Sequence, residues 1–226
     1  MPPPGPEGSA GARPVAAARF DEVIESPDRL RALFPPVHER AAVKVIDHID
    51  PICRRYIAAS PFVLIATRGA DGRLDISPKG DPAGFVQVLD AHTLAIPDRP
   101  GNNRLDSFGN LLAHPEIALL FLIPGNGDSL RVSGTARLVR DARLQAQMAT
   151  NGREPALILI VQVEEACTHC PKCMVRSGLW SPGRWPDLGD VPTLAEALSA
   201  HVALATRQDG PETPPRPPGA EGGSPP

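Results

Sequence analysis

Aromatic side chains are scarce in this chain: six Phe, two Trp and one Tyr make up 4% of 226 residues. The formal net charge is -3 and no basic tract exists, so the stacking platforms and cationic track that nucleic-acid binding needs are both missing. Long apolar runs are missing too. No stretch approaches the roughly 18 consecutive apolar residues that span a bilayer, and the proline-rich start lacks the basic-then-apolar order of a signal peptide. A cytoplasmic protein with no membrane role is the expectation. Cysteine is limited to four residues, three of them crowded from Cys167 to Cys173; such crowding does not suit a disulfide framework spread over a secreted fold and agrees with a reducing compartment. Gly101-Asn102-Asn103-Arg104 lacks the Lys-Ser/Thr ending of a nucleotide-triphosphate loop, and Gly84 and Gly101 are not spaced as a dinucleotide fingerprint. There is no internal repeat and no heptad array.

Proline and glycine, by contrast, are abundant, at 28 and 20 residues. Many fall in 1–18 and 209–226, low-complexity ends that cannot bury a core and are expected to be disordered. Between them the pattern predicts a folded domain over 19–190 with helices at its N-terminal side, and a last helix over 191–208.

Apolar residues at helical spacing over 20–60, broken at Pro35-Pro36 and Pro51, predict two or three short amphipathic helices covering a sheet, with Ser26-Pro27 a helix start. After Pro61 the period changes. An apolar run over 62–67, a Gly69-Ala70-Asp71-Gly72 turn and an alternating stretch over 73–78 read as two antiparallel strands. In the second, Leu74 and Ile76 point to one face and Asp75, Ser77 and Lys79 to the other. Further strands are predicted at 85–89, 93–96, 117–123, 130–139 and 156–163, with helices at 103–113 and 142–150. Short strands in hairpin succession, with few helices between, predict a mainly β fold with flanking helices, an antiparallel barrel rather than a parallel sheet.

The stretch 94–115, LAIPDRPGNNRLDSFGNLLAHP, joins a strand to a helix through a loop of cationic, amide and glycine groups. Unpaired N–H groups and the helix dipole favour an anion there, with Arg99 and Arg104 near the helix start. A solvated turn in which Asn102 or Asn103 caps the helix fits the same residues. Leu105, Phe108, Leu111 and Leu112, at helical spacing, are expected in the core.

Cys167, Cys170 and Cys173, with His169 between, raise a metal site, since that spacing would keep the sulfurs on one side of a helix. The ligand count falls short of the usual four, so ordinary thiols are the preferred reading and no metal is expected. A Cys170–His169 nucleophilic pair has no orienting third group. Trp180 and Trp185 follow the cluster, suited either to cap a ring-shaped ligand or to plug a barrel mouth. Asp98 and His169 are candidates for acid–base work by chemical type alone, and no catalytic residue is assigned.

The order of motifs is more specific than any one of them. Ser77-Pro78-Lys79-Gly80, the 94–115 segment with its N-L-L-x-x-P at Asn110 to Pro115, the apolar strand that follows, and R-V-x-G-x-A at Arg131 to Ala136 resemble the pyridoxamine 5'-phosphate oxidase-like flavoproteins. His169 to Lys172 (HCPK) and Ser177 to Trp180 (SGLW) resemble an FMN-dependent bacterial subgroup of undefined substrate. The resemblance implies an antiparallel split β-barrel of the FMN-binding type, a homodimer with FMN at its interface, and oxidoreductase chemistry on a small-molecule substrate. A non-catalytic split barrel that binds flavin, haem or another planar ligand is the alternative. By position, the resemblance assigns cofactor contacts to Ser77, Lys79, Pro97, Asp98, Arg99, Asn102, Asn103 and Arg104, and to Lys172, Arg176 and Trp180, which could close the site from the partner subunit. The oxidases' C-terminal substrate-binding Arg and His arrangement is not recognisable, so pyridoxamine phosphate itself is not implied as substrate.

Overall fold

The computed structural model describes residues 20–208, so both expected tails lie outside the described residues. The chain divides into two compact units, Met1–Gly183 and Arg184–Pro226.

The first unit opens with α1 (Pro27–Ala32) and α2 (Glu39–Ala42), followed by α3 (Pro51–Ala59). Ser26 caps α1, its side chain accepting from the Arg29 N–H, with Pro27 in the first turn. The expected cover does not form there: α1 has no buried residue, and Leu30, Leu33 and Phe34 are exposed. Only α3 plugs the core, through Cys53 and Ile57, with Ile49 beside it. Asp50 fixes its start by accepting from the Cys53 N–H at 2.7 Å, which holds the Asp50 carboxyl below the usual carboxylate range.

Seven strands follow: β1 (Phe62–Arg68), β2 (Leu74–Gly80), β3 (Gln87–Val88), β4 (Thr93–Pro97), β5 (Glu116–Leu122), β6 (Ser129–Val139) and β7 (Ile158–His169). They form one antiparallel sheet in the order β2-β1-β5-β6-β7-β4-β3. The edge strands β2 and β3 do not pair, so the sheet curls around its core as a split barrel without closing. Alternate residues explain the curl: Val63, Ile65, Leu119, Phe121, Leu130, Val132, Leu94, Ile96, Val161 and Val163 all point into one core.

β7 runs six residues past the expected end at Val163, because Glu164 and Glu165 lie on its exposed side while Ala166 and Cys167 stay buried. A register shift between Ser133 and Gly134 absorbs Glu164 as a bulge. Gly134 has a steric reason to be glycine here. A Cβ at that position would lie 1.9 Å from the Gln162 carbonyl oxygen. Gly134→Ala should therefore cost about 3 kcal/mol by forcing two buried strands apart, measured as a fall in the midpoint of denaturant unfolding; an unchanged midpoint would show that the bulge relaxes freely.

The helices between strands are α4 (Asp106–Ala113) and α5 (Ala142–Gln147), and α6 (Lys172–Ser177) follows β7. Asn110 of α4 donates to the Thr67 hydroxyl at 3.0 Å, and Pro115 accepts from the Ala136 N–H at 2.8 Å. These residues of the sequence signature tie α4 to the sheet. Of the four expected core residues Leu111 is buried and Phe108 half-buried, but Leu105 and Leu112 are exposed.

The second unit contains α7 (Leu194–Gln208), started by a reciprocal cap in which Glu196 N–H donates to Thr193 Oγ1 and Thr193 N–H to Glu196 Oε2. Among the described residues, no helix is long and apolar enough to cross a membrane.

Candidate functional site

β2 sits at the sheet edge with the expected alternation: Leu74 and Ile76 are exposed, while Asp75, Ser77 and Lys79 are half-buried and share the inward side with Val63, Ile65 and Thr67 of β1. The chain leaving β4 crosses in front of that polar row before α4 begins. Together they enclose a cavity of about 250 Å³ whose walls include Ser77, Lys79, Asp98, Asn103, Arg104 and Phe108.

The loop has its own construction. Asp98 N–H donates to the Leu157 carbonyl at 3.1 Å, pinning the loop to the segment before β7. Asn103 and Leu105 adopt left-handed backbone, with φ of 58° and 59°, so α4 starts at Asp106, three residues later than the periodicity predicts. Asn102 does not cap the helix. Its side-chain oxygen accepts from the Arg104 N–H at 3.1 Å, forming a turn within the loop, and the residue before α4 supplies no side-chain cap. The Arg104 N–H, between the two left-handed residues, is thus turned back onto the Asn102 side chain.

Three cations meet this cavity, in different states. Arg99 is engaged: Nε donates to Asp81 Oδ2 at 2.6 Å, and Nη2 donates to the Met148 carbonyl at 3.0 Å and the Thr150 hydroxyl at 2.8 Å. It anchors the loop to the chain around α5. Arg104 is exposed at the lip, where Nε donates to Asp106 Oδ2 at 2.7 Å. Lys79 stands on the cavity floor with its ammonium 5.7 Å from the centroid of the Phe108 ring. Burial pushes the Asp98 carboxyl above its ordinary value, and the nearby Lys79 charge works against that rise. Opposite them, Ser107 at the start of α4 donates to Asp75 Oδ2 at 3.2 Å, which ties α4 to β2.

Most of the expected contact residues thus come together: Ser77, Lys79, Asp98, Arg99, Asn102, Asn103 and Arg104 all line the cavity. Pro97 is buried at the end of β4, just behind it. Lys172, Arg176 and Trp180 are not among the lining residues. Trp180 instead carries a buried indole N–H with no hydrogen-bond partner among the described residues. The sequence reading missed Asp81, Ser107 and Phe108. Ser107 had a usable signal, a hydroxyl on the side of α4 that otherwise buries Leu111.

The cysteines do not share a helix face. Cys167 is buried on β7, Cys170 lies in the turn that follows, and Cys173 is on α6. Among the described residues no group of three or more His, Cys, Asp or Glu could hold a metal ion. Burial lowers the His169 pKa, and the Lys44 and Arg131 charges lower it further, which favours the neutral imidazole.

The family model described as pyridoxamine 5'-phosphate oxidase matches residues 49–170, which run from the approach to α3 through β7. No curated protein matches the sequence. Solved structures similar to this chain include HupZ of Group A Streptococcus, 18% identical over 52% of this chain and 91% of its own, with a TM-score of 0.43. A candidate pyridoxamine 5'-phosphate oxidase from Lactobacillus delbrueckii is 20% identical over 54% of this chain and 98% of its own, with a TM-score of 0.42. An FMN-binding protein from Syntrophomonas wolfei is 13% identical over 51% and 82%, with a TM-score of 0.41.

Proposed function

We propose, because this chain belongs to the pyridoxamine 5'-phosphate oxidase family, that the cavity between β2 and α4 holds the phosphate end of FMN and that the protein is an FMN-dependent oxidoreductase acting on a small substrate. The observation that carries this reading is the half-buried Lys79 side chain sharing the cavity with a loop in which Asn103 and Leu105 take left-handed backbone. The donor set suits a phosphate: one ammonium, the Ser77 hydroxyl, and Arg104 at the lip, which can exchange Asp106 for a ligand oxygen. When bound, FMN supplies the hydride or electron transfer; the chain's residues anchor and orient it and set the charge near its ring. Arg99 acts one step back, holding the loop in place through Asp81 and Thr150.

Two features support a homodimer. A cavity of about 250 Å³ lies below the roughly 300–1,000 Å³ of ordinary small-molecule sites, so the flavin ring needs walls that one chain lacks. The outer side of the sheet is also apolar and incompletely covered. Rows of Ile76, Ala66 and Ala118, then Pro78, Leu64 and Leu120, run side by side across β2, β1 and β5, and Ile76 is 65% exposed. Lys172, Arg176 and Trp180 of a second copy would then close the site.

The haem-binding alternative has less support, because no His, Cys, Met or Tyr lines the cavity to serve as an axial ligand. Purified protein should titrate with FMN to one flavin per chain, and NAD(P)H followed by candidate acceptors should reduce and reoxidise it. Protein that gains no flavin absorbance would refute the reading; bound flavin that never turns over would reduce it to a carrier. Sedimentation should give a dimer, and Ile76→Glu should yield a folded monomer with weakened FMN binding. A monomeric parent that binds FMN fully would remove the second copy from the site.

A further inference from the structure

We propose that Cys170 and Cys173 form a redox-active dithiol that exchanges with small disulfides to give an intrachain Cys170–Cys173 disulfide. β7 ends at His169 and α6 begins at Lys172, so the two cysteines bracket the turn between strand and helix. The Cα separation of residues three apart is set by the dihedral angles of the two residues between them. Pro171 has φ -75° and ψ 0°, and Lys172 is helical, a combination that closes a turn to under about 7 Å, matching the roughly 4.4–6.8 Å that a disulfide spans. The backbone therefore meets the distance that closure requires.

The turn is also held. The proline ring fixes φ of Pro171, and the β5–β6 turn packs against it so closely that a Cβ on Gly127 would lie 2.6 Å from the Pro171 Cβ. Access separates this pair from the other two cysteines. Cys170 and Cys173 are exposed, whereas Cys53 and Cys167 are 4% and 3% exposed and cannot meet an oxidant in solution.

The oxidant is a low-molecular-weight disulfide. One protein thiolate attacks a sulfur of that disulfide, forming a mixed disulfide and releasing one small thiolate. The second protein thiolate attacks the protein-side sulfur, closing the Cys170–Cys173 bond and releasing the other small thiolate. Two protons leave the cysteines and end on the two released thiols, while two electrons pass from the protein to the small disulfide.

Full-length reduced protein equilibrated with oxidised and reduced glutathione, then alkylated and digested with trypsin, tests this directly. Trypsin cuts after Lys172, so peptides 154–172 and 173–176 remain joined only through a disulfide. Two thiols should be lost per chain and the joined species should appear, in the parent and in Cys167→Ser alike. Cys170→Ser and Cys173→Ser should each lose it and retain a single glutathione on the remaining cysteine. A joined species persisting in Cys170→Ser would assign the bond to Cys167 and overturn the proposal. Stable glutathione on both Cys170 and Cys173 of the parent would overturn it too, as would stoichiometric zinc that must be removed before the thiols react.

Discussion

Lys79→Ala is expected to weaken FMN binding by about 1.5–3 kcal/mol, roughly 10- to 150-fold, the range for a lost hydrogen bond to a charged group. Lys79 is singled out by what the other two cations do. Arg99 is spent on Asp81 and Arg104 is engaged by Asp106, while Lys79 makes no salt bridge among the described residues and stands over the Phe108 ring on the cavity floor. Removing it also takes away a charge that offsets the burial of Asp98, so the cavity becomes less welcoming to an anion in two ways. Flavin fluorescence titration measures the change. Lys79→Arg should retain most of the affinity, and an unchanged dissociation constant in Lys79→Ala would move the phosphate elsewhere.

Arg99→Ala should act on the fold first. Its pair with Asp81 is mostly buried, at 25% and 13% side-chain exposure, and two further hydrogen bonds reach Met148 and Thr150. Truncating one partner of a buried pair costs about 3–5 kcal/mol, and the remaining exposure of Arg99 brings the expected loss to about 2–3 kcal/mol. Denaturant unfolding checks it. FMN affinity should fall as well, because the loop carrying Asn103 and Arg104 loses its anchor. Arg104→Ala, by contrast, removes an exposed pair and should leave stability within about 0.5 kcal/mol. Unchanged stability with abolished FMN binding in Arg99→Ala would make Arg99 a direct ligand instead.

Much of this arrangement was legible in the sequence, for local reasons. Alternation along 74–80 sorts Asp75, Ser77 and Lys79 from Leu74 and Ile76 whatever surrounds them. The loop stood out by its composition of cationic, amide and glycine residues, which fits an anion site and a solvated turn alike. What stayed hidden is long-range or conformational. No local feature assigns Arg99 to Asp81, eighteen residues earlier. Leu105 reads as the first apolar residue of a helix, yet it takes left-handed backbone and faces outward, a conformation that non-glycine residues seldom adopt and that no pattern announces. β7 was cut short because Glu164 and Glu165 look like loop residues, although one is the bulge opposite Gly134 and the strand continues past both. The apolar positions of α1 have correct helical spacing, but periodicity does not say which surface will cover them.

The most direct test compares FMN with riboflavin, which has the same ring and ribityl chain but no phosphate, by titrating each into the parent protein at fixed pH and ionic strength. Phosphate anchoring at Lys79 and the 98–105 loop predicts that FMN binds at least about 10-fold tighter. It also predicts that Lys79→Ala removes most of this preference while leaving riboflavin binding nearly unchanged. Equal affinities for the two flavins in the parent protein would contradict the assignment of this cavity as a phosphate cradle.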